Sequence, residues 1–165
     1  DVRALMDNGK ELALLNTHLS AFSNNDGTVF EQVGQIDRHL KALESAGLGW
    51  VLGGDFNALP PGDDHKRLAE EGASYGPETP MTKLYDRYTP IWSERRLRDT
   101  PEAIRTYLPF AASEPDRTID YGFVGREVTL LEAEVLQEWD ISDHLPFVIR
   151  MALEPRKAEP APEKP

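Results

Sequence analysis

The sequence contains no cysteine, which excludes disulfides, thiolate metal sites and cysteine nucleophiles and leaves the redox compartment open. No apolar run approaches the ~20 residues that a membrane-spanning helix requires. There is no signal-peptide pattern at its start, no serine-nucleophile motif, no Gly-rich phosphate loop and no internal repeat; localisation stays open. Basic residues are scarce, with 18 Lys and Arg against 29 Asp and Glu and a formal charge of −11. Such acidity reads first as a solubilising surface. It argues against a broad basic track for nucleic acid, but not against a nuclease, because a divalent cation supplies positive charge locally.

What remains is globular. A chain of 165 residues, 39% apolar with 12 glycines, suggests one domain with its own core. That domain is expected over residues 1–153. Residues 154–165, all Pro, Glu, Lys, Ala and Arg, read as a disordered tail. Residues 2–6 and 11–16 flank Asp7-Asn8-Gly9-Lys10, a hairpin signal. Residues 20–28 form a polar loop. Apolar residues at Phe30, Val33, Ile36, Leu40 and Leu43 predict a helix that Gly47 and Gly49 stop. Trp50-Val51-Leu52 is a short buried strand. A helix over 65–71 follows, capped by Asp63 or Asp64. Residues 72–118 lack periodicity and hold six of the 13 prolines, which predicts a long surface excursion with short helices. Strands are expected over 118–124, 128–134 and 145–153.

Polar groups gather where these strands end. In chain order they are Asn16-Thr17-His18-Leu19, Gly53-Gly54-Asp55-Phe56-Asn57, Ile119-Asp120-Tyr121 and Ser142-Asp143-His144-Leu145-Pro146. Asp55 and Asn57 are two residues apart, so on an extended segment they point the same way. A carboxylate beside a carboxamide suits a hard cation or a phosphate, and equally an Asx turn. His144 exchanges protons near neutral pH and needs a carboxylate to orient it. Asp120, an acid within an apolar aromatic strand, is the candidate. Asp143 is a plausible oxygen ligand for Mg²⁺.

These four blocks, in this order, resemble the later motifs of the endonuclease/exonuclease/phosphatase superfamily, the DNase-I-like metal-dependent phosphoesterases. The resemblance covers residues 2–153. It implies an α/β fold, part of a four-layer α/β/β/α sandwich, and Mg²⁺- or Mn²⁺-assisted hydrolysis of a phosphate ester, with nucleic acid among the candidate substrates. By resemblance, Asp55 activates water or binds a second metal, Asn57 holds the scissile phosphate, and Asp120 pairs with His144. His18 contacts the phosphate or shares acid–base work, and Asp143, Asp55 and Asn57 face the metal. The family's domain opens with a half that supplies an early Asn and a metal-binding Glu. This chain begins in what looks like the middle, so that half is an expected partner and the chain alone an expected poor catalyst. Two other readings stand beside this one: a non-catalytic binding domain, and a phospholipid or inositol-phosphate phosphatase. Gln35 is read as packing or as support for the site. Arg95, Arg96, Arg98, Arg105 and Arg117 are either a phosphate-binding rim or a salt-bridged loop. Trp92, Tyr107 and Phe110 are base-stacking or loop-anchoring residues. His39 and His65 receive no role.

Overall fold

The periodic stretch after Gly27 forms the helix around which the rest is arranged. In the computed structural model, which describes residues 1–6, 9–21, 26–110, 112–137 and 142–153, helix α1 spans Thr28–Ser45. The 154–165 tail lies outside the described residues, as do Asp7 and Asn8 of the first turn and Asn24 and Asn25 of the loop. Asp26 Oδ1 accepts from the Thr28 N–H at 2.8 Å. At the other end, Gly47 (φ 71°) takes the left-handed conformation and Leu48 N–H reaches back to Leu43 O at 3.0 Å. This is a glycine-dependent stop. The buried stripe is Val29, Val33, Gly34, Asp37, Leu40 and Leu43. The stripe thus starts one residue earlier than the apolar pattern predicts, and Phe30 is 43% exposed.

Strands β1 (Val2–Leu5), β2 (Glu11–His18), β3 (Gly49–Asp55), β4 (Thr89–Pro90) and β5 (Asp120–Val124) form one sheet in the order β1-β2-β3-β5-β4. Only β2 and β3 run parallel, because α1 joins them as a crossover. Strands β6 (Thr129–Val135) and β7 (Phe147–Ala152) form an antiparallel pair with a register shift between Leu130 and Glu132. The two faces of the large sheet do different work. Trp50, Leu52, Tyr121 and Phe123 share a core with Leu40 and Leu43 of α1. Val51 and Val124 instead pack toward Ile149 and Met151 of β7. Small residues make room for this second contact. A Cβ on Gly122 would meet Ile149 Cδ1 at 2.9 Å and Ile91 at 3.0 Å. Val2 and Leu14, register partners farther along the sheet, are 69% and 39% exposed.

Residues 72–118 are not a surface excursion. They carry α2 (Thr82–Tyr85), β4, α3 (Glu94–Asp99) and a 3-10 turn at Pro101–Ile104. They also bury Met81, Leu84, Trp92 and Ile104 completely in the core. Prolines interrupt the backbone often enough to erase any period of 3.6 or 2, so burial there cannot be read from spacing. The helix predicted over 65–71 is a 3-10 helix, His65–Ser74, capped by Asp64, whose Oδ1 accepts from Lys66 N–H at 3.0 Å. Asp63 instead grips Arg67 through both oxygens at 2.7 Å. Strands β2 and β3 run to His18 and Asp55, beyond the ends that the apolar runs predict.

Candidate active site

Strand register gathers the polar residues. His18 pairs with Asp55 across β2 and β3, and Asp55 pairs with Asp120 across β3 and β5. Residues directly opposite on neighbouring strands project to the same face, about 5 Å apart. Three residues far apart in sequence therefore stand in one row at the sheet's end. Gly54 lets the row close: its φ is 147°, and a Cβ there would collide with the carbonyl of Thr17.

The fourth residue, His144, comes from the segment leading into β7. That segment is gripped by residues 106–108. Leu145 N–H donates to Thr106 O and Leu108 N–H donates to Asp143 O, each at 2.7 Å. The Thr106 hydroxyl, fully buried, also accepts from the N–H groups of Ile119 and Asp120 at 3.2 and 3.1 Å. One threonine thus ties the Asp120 strand to the His144 segment. The indole of buried Trp92 donates to Asp120 O at 3.1 Å. Sequence reading missed Thr106, and nothing in its local pattern marks it. It placed Trp92 among loop anchors or stacking groups, and Trp92 is an anchor. Gln35 is exposed. Its neighbour Gln32 is the supporting residue, accepting from Ser20 N–H at 3.0 Å and donating to Ser20 Oγ at 2.9 Å, just past His18.

Asp55 lies at the centre. Its Oδ1 accepts from Asn57 N–H at 2.8 Å, so the Asx turn is formed. Its Oδ2 faces His18 Nε2 at 3.4 Å and His144 Nε2 at 3.9 Å. One oxygen builds the turn and the other enters the site, so the structural and chemical readings of this residue hold together. Asn57, at φ 46°, donates its side-chain amide to Leu19 O at 2.9 Å and Asp55 Oδ2 at 3.1 Å. Both amide hydrogens are engaged within the protein in this arrangement. His144 Nδ1 is 2.9 Å from Asp120 Oδ2. Burial, reinforced by the Asp120 charge, raises the Asp55 carboxyl above its ordinary range, against the pull of Asn57 N–H and the two imidazoles. The hydrogen bond to Asp120 and the surrounding carboxylates raise His144 despite its partial burial. A carboxyl pushed up and an imidazole pushed up, side by side, make a proton-exchanging pair.

Asp143 is exposed beside His144, with Ser142 Oγ 3.2 Å from its Oδ1. The arginines divide among structural partners. Arg95 and Arg98 pair with Asp99, Arg96 donates to Ala133 O, and Arg105 donates to Pro115 O. Arg117 is buried against Asp116. Tyr107 packs edge-on to His144 with ring centroids 5.1 Å apart, whereas Phe110 is fully exposed. His39 meets Asp1 at 3.2 Å, remote in sequence from the site.

Asp55, Asp120 and His144 each offer a ligand atom within 4.8 Å of the others. Two carboxylates and one imidazole, partly buried, are a donor set that fits a divalent cation. A five-stranded mixed sheet backed by a helix and faced by a second sheet, with an Asp–His pair and a central carboxylate at the rim, defines a mixed α/β domain whose polar residues gather at one end of its strands. The sequence model of the Endonuclease/Exonuclease/phosphatase family matches residues 17–144, and the chain belongs to that family. No curated protein matches the sequence. Among solved structures the chain is similar to the APE2 catalytic domain of Xenopus laevis (16% identity, TM-score 0.59, covering 94% of this chain and 55% of that one). It is also similar to an endonuclease/exonuclease/phosphatase from Beutenbergia cavernae (21%, 0.56, 92% and 38%). A third similar structure is a mannosyl-6-phosphatase from Bacteroides thetaiotaomicron (16%, 0.53, 88% and 53%). At these identities the likeness is one of fold. The chain spans about half the length of the first solved structures it matches.

Proposed function

We propose that this chain carries one side of a metal-assisted phosphoesterase site, of the phosphodiesterase or endonuclease type, within a four-layer α/β/β/α domain. The observation that supports this best is the position of Asp55 Oδ2 between two imidazoles, one of them held by Asp120. Asp55, with its raised proton affinity, takes the proton of the attacking water as the water oxygen bonds to phosphorus. His144, whose proton affinity the hydrogen bond to Asp120 raises, donates a hydrogen bond to the oxyanion that develops. His18, exposed at the rim with its Nε2 3.4 Å from Asp55 Oδ2, passes that proton from Asp55 on to the leaving oxygen as the bond from that oxygen to phosphorus breaks. Asp55, Asn57 and Asp143 are the residues proposed to hold the Mg²⁺ or Mn²⁺ ion. When bound, the ion neutralises phosphate charge and polarises the P–O bond. Because the chain spans only part of the structures it matches, we propose that residues outside this sequence complete the ligand set, and that the isolated chain turns over slowly.

The test is hydrolysis of bis-nitrophenyl phosphate with Mg²⁺ or Mn²⁺, by this chain joined to or mixed with the first half of a family domain. Asp55→Asn and His144→Ala should each lower turnover by roughly 10²-fold or more. Near-parental turnover in either variant removes that residue from the mechanism. A panel containing a DNA duplex, an inositol phosphate and a phospholipid then separates the substrate classes. Among the described residues no helix is long and apolar enough to cross a membrane.

A further inference from the structure

Beyond the imidazoles of His18 and His144, the proposed site is rich in acceptors and poor in donors. Asp55, Asp120 and Asp143 bring carboxylates, and both amide hydrogens of Asn57 are engaged by Leu19 O and Asp55 Oδ2. A phosphate seated beside Asn57 needs a donor from elsewhere. Next to Asn57 a cleft opens, lined by Gly27, Phe30, Leu59, Tyr75 and Thr79. Its hydroxyl-bearing aromatic is Tyr75, fixed just after the 3-10 helix by its N–H to Gly72 O at 3.1 Å.

Beneath Tyr75 lies Arg117, whose side chain is 4% exposed. Its guanidinium is pinned to Asp116 by bonds of 2.6 and 2.8 Å. It sits between two aromatic rings, 5.8 Å from that of Tyr75 and 5.1 Å from that of Tyr107. Tyr107 in turn packs against His144. One buried cation therefore supports both flanks of the site. The Arg117 guanidinium beside the ring acts on the Tyr75 hydroxyl to lower its proton affinity, and the Asp55 charge acts on it in the opposite sense. A hydroxyl beside a cation still has its proton to donate, and the cation strengthens that donor. Burial raises the Tyr75 hydroxyl above its ordinary range, so it keeps this proton at working pH.

We propose that Tyr75 contacts the substrate, its hydroxyl donating to a non-bridging phosphate oxygen beside Asn57, and that Arg117 is the positioning residue that aims and polarises it. The proposal rests on the phosphoesterase reading above. The test measures the affinity of the 165-residue chain for inorganic phosphate in excess Mg²⁺, by ³¹P NMR titration. Tyr75→Phe, which keeps the ring and the packing, should weaken binding roughly 10- to 100-fold, the worth of one hydrogen bond to a charged acceptor. Arg117→Lys should weaken binding in the parent background and have little further effect in the Tyr75→Phe background, as expected for residues acting as one unit. Thermal unfolding of each variant confirms that it is folded. If Tyr75→Phe binds phosphate as the parent does while His18→Ala loses it, the Tyr75 assignment is overturned and the phosphoesterase reading stands. A parent chain that binds no phosphate overturns the Tyr75 assignment, and hydrolysis by the joined domain then decides the phosphoesterase reading by itself.

Discussion

Replacing Asp120 with asparagine isolates the charge that holds His144. The two side chains are 2.9 Å apart, with Asp120 nearly buried and the His144 side chain 32% exposed. A hydrogen bond to a charged partner contributes about 1.5–3 kcal/mol; partial exposure of the imidazole brings this to about 1–2 kcal/mol. The sign follows from the proton affinity. His144 is raised above its ordinary 6.5 by Asp120, so the pair's stabilisation is complete below pH 6.5 and is lost as pH rises through the raised value. A second effect runs the same way: Asp120 also disfavours ionisation of Asp55, and the amide relieves that at higher pH. Urea unfolding of the metal-free parent and Asp120→Asn should therefore differ most at about pH 5.5 and least, or with reversed sign, at about pH 9. The His144 titration midpoint followed by NMR should fall in the variant. A stability difference independent of pH would refute the argument, because it would show that Asp120 acts through packing and not through charge.

Other outcomes follow from single contacts. Gly54→Ala places a Cβ against the Thr17 carbonyl at a φ of 147° and should destabilise the fold by at least ~2–3 kcal/mol; an unchanged melting temperature contradicts the close approach of β2 and β3. Asp37 is 2% exposed and bonded to Lys41 at 2.9 Å and Tyr88 at 3.0 Å, so Asp37→Ala should cost about 2–4 kcal/mol in chemical unfolding at neutral pH. Burial tends to raise this carboxyl, but those hydrogen bonds and the Arg87 charge prevail and lower it. Its stabilisation, present above pH 3.8, should fade as pH falls through the lowered value, and a parent–variant gap that persists at about pH 1 would contradict this. Thr106→Val removes the hydroxyl shared by two buried N–H groups. It should cost about 1–3 kcal/mol, with a shift of the Asp120 amide resonance as the check.

The motif blocks were legible because each borders an apolar run, and the Asp120–His144 contact was expected from the family resemblance. The row of His18, Asp55 and Asp120 was less so. It requires β5 to pair antiparallel with β3, a long-range choice that local pattern does not encode. Val29 replaced Phe30 in the buried stripe, and Gln32 replaced Gln35 beside the site. The first is a shift of one residue, about 100° around the helix, and the second a shift of three, nearly one turn along the same side. Residues 72–118 carry the expected short helices but are not a surface excursion. Their buried aromatics pack from short turns between prolines, and their placement depends on the sheet they cover.

His18, Asp55 and Asp120 belong to the large sheet, while His144 enters from the strand pair β6–β7, across the seam where Ile149 rests on Gly122. The site is thus a gauge of docking between the two layers. If β6–β7 lifts while the helix-backed sheet stays intact, the Asp120–His144 contact is lost although most secondary structure remains. Chemical competence then disappears at a lower denaturant concentration than circular dichroism registers, and any ligand that bridges Asp55 and His144 acts as a clamp holding one layer to the other.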